Sequence, residues 1–249
     1  MNLSKKINKA ILISGHIINQ PKLKKQIKPY NNPILSMVVD TIEQVKKDKF
    51  TGKDQEIFDS INLYRSQLST SDETVDYEIF EPGKVDTVKA VFQRASSPEI
   101  WCKFHYALAK NFQAKHYLEI GTNLGVSGSF ILQALKNQSD FQFITLEGIP
   151  DLVKIATRQF QTITNESHFQ IVEGLYQNTF APTMNELMDL DMAFIDGNHR
   201  YEPTLYYFKE IKKKLNSKAI VVFDDIYTSV EMIKLWKKVQ EDSDINYFV

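Results

Sequence analysis

From residue 97 onward, five short apolar runs alternate with stretches of helical spacing, and this alternation restricts the fold more than any other feature. The runs occupy residues 117–120, 141–146, 169–172, 192–195 and 219–223. Each is mostly apolar, without strict alternation of apolar and polar residues, as expected of a strand buried on both faces. Apolar residues recur at helical spacing near 126–136, 151–164, 182–189, 203–215 and 229–240. Strand–helix alternation of this kind predicts an α/β fold, a mostly parallel, doubly wound sheet with helices on both faces. A further helix opens at Ser97-Pro98, with Ser97 as N-cap and Pro98 in the first turn. Ile100, Phe104, Ala107, Leu108 and Phe112 supply its apolar face.

The part before residue 97 reads differently. Residues 34–48 and 54–69 carry apolar positions at helical spacing, while 70–95 is polar and mixed, with Pro82-Gly83 marking a turn. The expected organisation is an N-terminal helical extension with a connecting segment over 1–95 and an α/β domain over 96–249. Seven of the thirty basic residues and none of the acids lie within 1–39, so the remainder carries a net charge of -8. This arm reads either as a solvated helical face or as a surface attracting an anionic partner or membrane. It lies outside the motif-bearing region and is expected to be dispensable for ligand binding. The whole-chain charge of -1 lacks the basic excess of a duplex-binding protein, so no nucleic acid is expected. The single cysteine, Cys102, excludes an internal disulfide and a cysteine-built zinc site, which suits a cytoplasmic location. No apolar run approaches the roughly 20 residues of a transmembrane segment.

In doubly wound sheets ligands bind beyond the carboxyl ends of the strands. After the first strand comes Glu119-Ile120-Gly121-Thr122-Asn123-Leu124-Gly125-Val126-Ser127-Gly128, an acid-x-Gly-x-x-x-Gly turn. Its glycines permit close approach of a ligand, and the helix that follows offers unpaired N–H groups. The spacing fails the G-x-G-x-x-G dinucleotide fingerprint. The second strand ends in Glu147-Gly148, 26 residues after Gly121, where a carboxylate can accept from both ribose hydroxyls of a nucleoside. The third ends in Glu173-Gly174-Leu175-Tyr176, either a base-binding edge or a solvated turn. The fourth ends in Asp196-Gly197-Asn198-His199 and the fifth in Asp224-Asp225. If those two strands are neighbours, about 4.8 Å apart, three carboxylates converge and need a compensating charge. Asp225 also reads as a helix N-cap. His199, three residues from Asp196, is placed as an acid–base group or metal neighbour.

These motifs, in this order, resemble the class I S-adenosylmethionine-dependent methyltransferases, most closely a bacterial O-methyltransferase-like subgroup, over roughly residues 97–249. The resemblance implies a Rossmann-like sheet of seven strands, the last antiparallel. Residues 245–249 could begin the sixth strand, and none are left for a seventh. It implies S-adenosyl-L-methionine as cofactor, with Gly121, Asn123, Gly125 and Ser127 around its methionine part and Glu119 ordering that loop. Glu147 and Gly148 would hold the ribose, Gly174 and Leu175 border the adenine, and Asp196 lie near the sulfonium and amino group. In related metal-dependent enzymes, acids matching Asp196, Asp224 and Asp225 bind a divalent cation such as Mg²⁺; other relatives keep the acids without the metal. The implied partner is a small-molecule methyl acceptor with a reactive hydroxyl, which needs either His199 as base or a cation that lowers its pKa, with Asp196 as the second catalytic residue. A homodimer is compatible with this reading.

Two rival readings remain at this level. A short-chain NAD(P)-dependent reductase shares the fold class, but its Tyr-x-x-x-Lys pair matches here only at Tyr106 and Lys110, before the glycine turn instead of well after it. A non-catalytic interaction module of the same fold is disfavoured by the intact Glu119, Gly121, Glu147 and Asp196.

Overall fold

The computed structural model describes residues 31–247; residues 1–30, which hold all seven lysines of the N-terminal arm, and 248–249 lie outside the described residues. The chain opens with α1 (Pro33–Lys46), capped by Asn32, whose Oδ1 accepts from the amides of Ile34 and Leu35. Its first turns fall within the 1–39 segment and bury Leu35, Val38 and Val39. α2 (Gly52–Thr70) begins with a capping box between Thr51 and Asp54.

The segment read as a long connection or flap is structured. It forms a short antiparallel hairpin, β1 (Thr74–Asp76) and β2 (Val85–Thr87), and a helix, α3 (Val88–Ala95), capped by the Thr87 hydroxyl. α4 (Glu99–Phe112) follows, and here Ser97 is not the N-cap. Pro98 takes that position without a side-chain bond, while the Ser97 carbonyl accepts from Arg65 of α2.

The α/β part then runs β3 (His116–Ile120), α5 (Val126–Leu135), β4 (Gln142–Glu147), α6 (Pro150–Gln161), β5 (Phe169–Glu173), α7 (Tyr176–Glu186), β6 (Leu190–Ile195), α8 (Tyr201–Lys212), β7 (Leu215–Phe223) and α9 (Val230–Gln240). The five strands pair in parallel in the order β5-β4-β3-β6-β7. The chain therefore reverses its direction of winding between β3 and β6, and crevices at such a switch point bind ligands. Residues 245–247 form no strand, and no strand among the described residues pairs with the outer edge of β7.

Alternate strand residues feed two cores. Tyr117, Phe143, Met192 and Phe194 point to one face, where they meet α4, α5 and α6 together with Phe58, Ile61, Leu68, Val75, Val88 and Val91 from the N-terminal elements. Leu118, Ile120, Leu146, Ala193 and Ile195 point to the other, against Phe180 and Met184 of α7, Phe208 and Ile211 of α8, and Leu235 of α9. The N-terminal helices and hairpin thus share a core with the sheet.

The Tyr106–Lys110 pair takes a structural place in that shared core. Both side chains donate to Asp54 Oδ1 at 2.5 Å. Burial pushes the Asp54 carboxyl up, but Lys110, Tyr106 and Thr51 outweigh it and hold the group at about 2.

Candidate active site

Register brings the expected residues to one end of the sheet. Ile120 pairs with Leu146 on one side and with Ile195 on the other, and Ile195 pairs with Phe223. The residues that follow these positions therefore meet at neighbouring strand ends.

The turn after β3 is tightly built. Gly121 has φ +108°, and its amide and that of Thr122 donate to the Leu146 carbonyl at 3.1 and 3.2 Å. Asn123, also left-handed at φ 49°, donates its amide to Glu147 Oε2 at 2.8 Å and its Nδ2 to the Ala95 carbonyl at 3.1 Å. Asn123 Oδ1 is buried with no hydrogen-bond partner among the described residues. Such an orphan acceptor is costly unless a donor arrives. Tyr64 of α2 donates to the Leu124 carbonyl at 2.6 Å, so an N-terminal helix also braces this turn. Gly125, at φ +70°, is the N-cap of α5; a methyl there would meet Phe160 and Ala156 of α6 at about 3 Å.

Glu119 lies fully buried beneath the turn. Its Oε1 accepts from Ser127 at 2.6 Å and its Oε2 from Thr145 at 2.8 Å. The Ser127 hydroxyl is therefore directed at Glu119. Burial pushes the Glu119 carboxyl up to about 7, against the two hydroxyl bonds that favour its ionised form. An acid with a folded value above its unfolded value of 4.5 favours the native state below 4.5, and this support is lost as pH rises to about 7. The span corresponds to about 3 kcal/mol. Glu119→Gln should therefore flatten the decline in urea midpoint between pH 4.5 and 7; an unchanged slope would show that Glu119 titrates normally.

Glu147, at the end of β4, accepts from the amides of Asn123 and Ile149. Burial raises its pKa, partly offset by these backbone bonds. Gly174, at φ +131°, donates to the Glu147 carbonyl at 2.8 Å, and Leu175 caps α7 beside Gly148.

Beyond β6 the chain bends back through two consecutive left-handed residues, Asn198 (φ 70°) and His199 (φ 39°). Non-glycine residues held this way carry a cost of order 1–3 kcal/mol and cluster at functional sites. The bend puts His199 Nε2 3.4 Å from Asp196 Oδ1 and Nδ1 3.7 Å from Asp225 Oδ2. Asp225 is itself left-handed, at φ 54°. Burial, then the charge of Asp224 and a hydrogen bond shared with it, push the Asp196 carboxyl well above the carboxylate range. Asp196, Asp224 and Asp225 are thus neighbours, as the strand order requires, but two of them are engaged with each other. Among the described residues no group of three His, Cys, Asp or Glu side chains could hold a metal ion. With Asp196 hydrogen-bonded to Asp224, the three acids do not form such a group.

One contributor carried no distinctive spacing in the sequence. The Tyr176 ring packs on Gly197, where an added methyl would lie 2.9 Å from its Cε2, and its phenol is close enough to Glu147 and Asp196 to feel both charges. Burial first, then Glu147, pushes it well above its ordinary value. Its signal was an aromatic residue two positions after Gly174. Cys102 is buried, and burial pushes its thiol up to about 12, so it is inert.

Residues 118–226, which span this whole constellation, match a family model described as a methyltransferase domain. Over this stretch the chain is similar to the methyltransferase-domain family. An uncharacterised protein of Acanthamoeba polyphaga mimivirus is 31% identical to this chain over 112 residues, 44% of this chain and 50% of the other. The chain thus spans about half the length of the curated relative it matches. Solved structures agree on the fold. The O-methyltransferase TomG from Streptomyces achromogenes, in complex with S-adenosylmethionine, superposes with a TM-score of 0.51 at 21% identity, over 59% of this chain and 70% of its own. The Bacillus cereus O-methyltransferase in complex with S-adenosylhomocysteine gives 0.55 at 17% identity, over 76% and 80%. The S-adenosylhomocysteine-bound Podospora anserina methyltransferase PaMTH1 gives 0.54 at 16%, over 78% and 89%. Among the described residues no helix is long and apolar enough to cross a membrane.

Proposed function

We propose that this methyltransferase transfers the methyl group of S-adenosylmethionine to a hydroxyl of a small molecule, with His199 as the base and without a metal ion. The observation that carries the reading is the orphaned, buried Asn123 Oδ1 in a glycine turn surrounded by Glu119, Glu147 and Asp196. Acceptors and anions gathered around a concave turn call for a cationic ligand with donors. S-adenosylmethionine brings an ammonium and a sulfonium, and its ribose brings two hydroxyls. The cofactor supplies, when bound, a methyl group already electrophilic on sulfur.

The chain's own residues supply the rest. Asn123 Oδ1 would accept from the amino group, and Gly121 and Gly125 supply the positive-φ backbone that shapes the turn around it. Glu147 accepts from the ribose hydroxyls, with Gly148, Gly174 and Leu175 bordering the nucleoside. Asp196 faces the cationic end, where a positive charge restores its ionised form. A hydroxyl is a poor nucleophile until its proton leaves, and His199 takes that proton while Asp225, 3.7 Å from Nδ1, stabilises the imidazolium. Two structural relatives are described as O-methyltransferases, which supports oxygen as the acceptor atom.

The reading is tested by calorimetry with S-adenosylhomocysteine, followed by mass spectrometry of a panel of hydroxylated small molecules incubated with the methyl donor. In Glu147→Ala, affinity for S-adenosylhomocysteine should fall about ten- to a hundredfold, the loss expected when two hydroxyls forfeit a charged acceptor. Unchanged affinity would remove Glu147 from the site.

A further inference from the structure

The hairpin between α2 and α3 reaches the cofactor cleft, although nothing in its sequence marks it as part of that site. Its turn is ordered by its own hydrogen bonds. The amides of Phe80 and Glu81 donate to the Tyr77 carbonyl at 2.8 Å, Tyr77 N donates to Lys84 O at 2.9 Å, and Gly83 N donates to Glu78 Oε2 at 2.6 Å.

Its base is fastened to α6, the helix that follows Glu147-Gly148. Asp76 N donates to Asp151 Oδ2 at 3.0 Å, and Arg158 donates to both carboxylate oxygens of Glu73 at 2.7 and 2.9 Å. The turn therefore has a defined place relative to the strand end that carries Glu147.

That place puts Phe80 over Gly148. A methyl on the Gly148 Cα would lie 2.7 Å from Phe80 Cζ and 2.9 Å from its Cε2, with Leu175 Cδ2 at 3.8 Å. The ring thus occupies the space a side chain at position 148 would fill, directly after the ribose-binding candidate. Tyr77 of the same turn is also close enough to Glu147 to feel its charge. Yet Phe80 remains 59% exposed, with one side packed on Gly148 and the rest open. An aromatic residue held by an ordered turn, half covered beside a nucleoside subsite, presents the flat apolar surface that a purine or the face of a ribose takes up.

We propose that Phe80 forms the outer wall of the nucleoside subsite, so that the N-terminal hairpin completes the cofactor pocket of the sheet domain. The assignment rests on the reading of this chain as an S-adenosylmethionine-binding enzyme. It also explains why position 148 is glycine: any larger residue would push the wall away.

The test is calorimetric titration of the full chain, wild type and Phe80→Ala, with S-adenosylhomocysteine and separately with 5′-methylthioadenosine. Loss of the ring should weaken both ligands by a similar factor, about tenfold, because stacking of a base on an aromatic side chain is of that size. The melting temperature of the ligand-free protein should stay put, since the ring is mostly exposed. Phe80→Trp should restore affinity and report binding through its fluorescence. Full affinity in Phe80→Ala overturns the assignment alone. Weakening of S-adenosylhomocysteine without weakening of methylthioadenosine overturns it too, because the ring would then face the amino-acid end. A wild-type protein that binds neither ligand overturns the assignment together with the cofactor reading on which it rests.

Discussion

Replacing His199 with alanine is expected to lower kcat by about two to four orders of magnitude, the contribution of a positioned general base, while S-adenosylhomocysteine binds as before. The separation follows from geometry. His199 stands between Asp196 and Asp225, at 3.4 and 3.7 Å, on the far side of the β6 end from Glu147. Asn123 donates to the ribose-side Glu147 and Gly121 to the Leu146 carbonyl, and neither bond involves His199. Removing the imidazole should therefore spare cofactor affinity and remove only the group that accepts the acceptor's proton. His199→Gln, which keeps polarity but cannot become a cation beside two carboxylates, should be as damaging as alanine. Turnover by the wild-type enzyme should be unaffected by EDTA, because the described side chains form no group that could hold a metal ion. Turnover abolished by EDTA and restored by Mg²⁺, with His199→Ala active, would overturn this mechanism in favour of a metal-held acceptor. The measurement needs only an acceptor found in the hydroxyl panel and a binding titration run in parallel.

The sheet was legible because a strand covered on both faces must be apolar at nearly every position, and five such runs occur in sequence. The strand ends were legible for the same reason: a polar residue such as Glu119, Glu147, Asp196 or Asp224 at the close of an apolar run is conspicuous. Other parts were hidden by length. β1 and β2 have three residues each, too few to show a period of two, and α3 offers only Val88 and Val91 as buried marks. α7 was expected to start at Pro182 but begins at Tyr176 and carries Pro182 in its interior, against the usual preference for the first turn. β7 is longer than its apolar run, because Asn216, Ser217 and Lys218 lie on an edge where polar side chains reach water. The members of the site that escaped notice are those brought in by tertiary packing. Spacing along the chain places Glu147 relative to Gly121, but it says nothing of Phe80, which arrives from a hairpin 68 residues before Gly148. Nor does it reveal the mutual bond of Asp196 and Asp224, which depends on how the ends of β6 and β7 lie side by side.

Gly121→Val should cost about 4 kcal/mol or more of stability and abolish cofactor binding, an effect at the upper end for a single substitution. Two causes add. At φ +108° a side chain with a Cβ is strained regardless of space. Space is also lacking, since a Cβ on Gly121 would lie 2.2 Å from the Asp196 carbonyl oxygen and 3.0 Å from its carbonyl carbon. Both obstructing atoms are backbone, and they cannot swing aside as a side chain would. The Asp196 amide is bonded to Ile120 O at 3.0 Å, and the Gly121 amide to Leu146 O at 3.1 Å, so relief would tear the ends of β3, β4 and β6 apart. Those ends carry Asn123, Glu147 and Asp196, and whatever fraction of the variant folds should lack the site. Gly52→Ala provides the control. Nothing lies within 4 Å of a methyl at that position, the first residue of α2, and the change should alter stability by less than about 1 kcal/mol, in the stabilising direction. Urea denaturation of the two variants beside the wild type gives the comparison. A Gly121→Val protein of wild-type stability that still binds S-adenosylhomocysteine would show that the turn is not held against β6 as described.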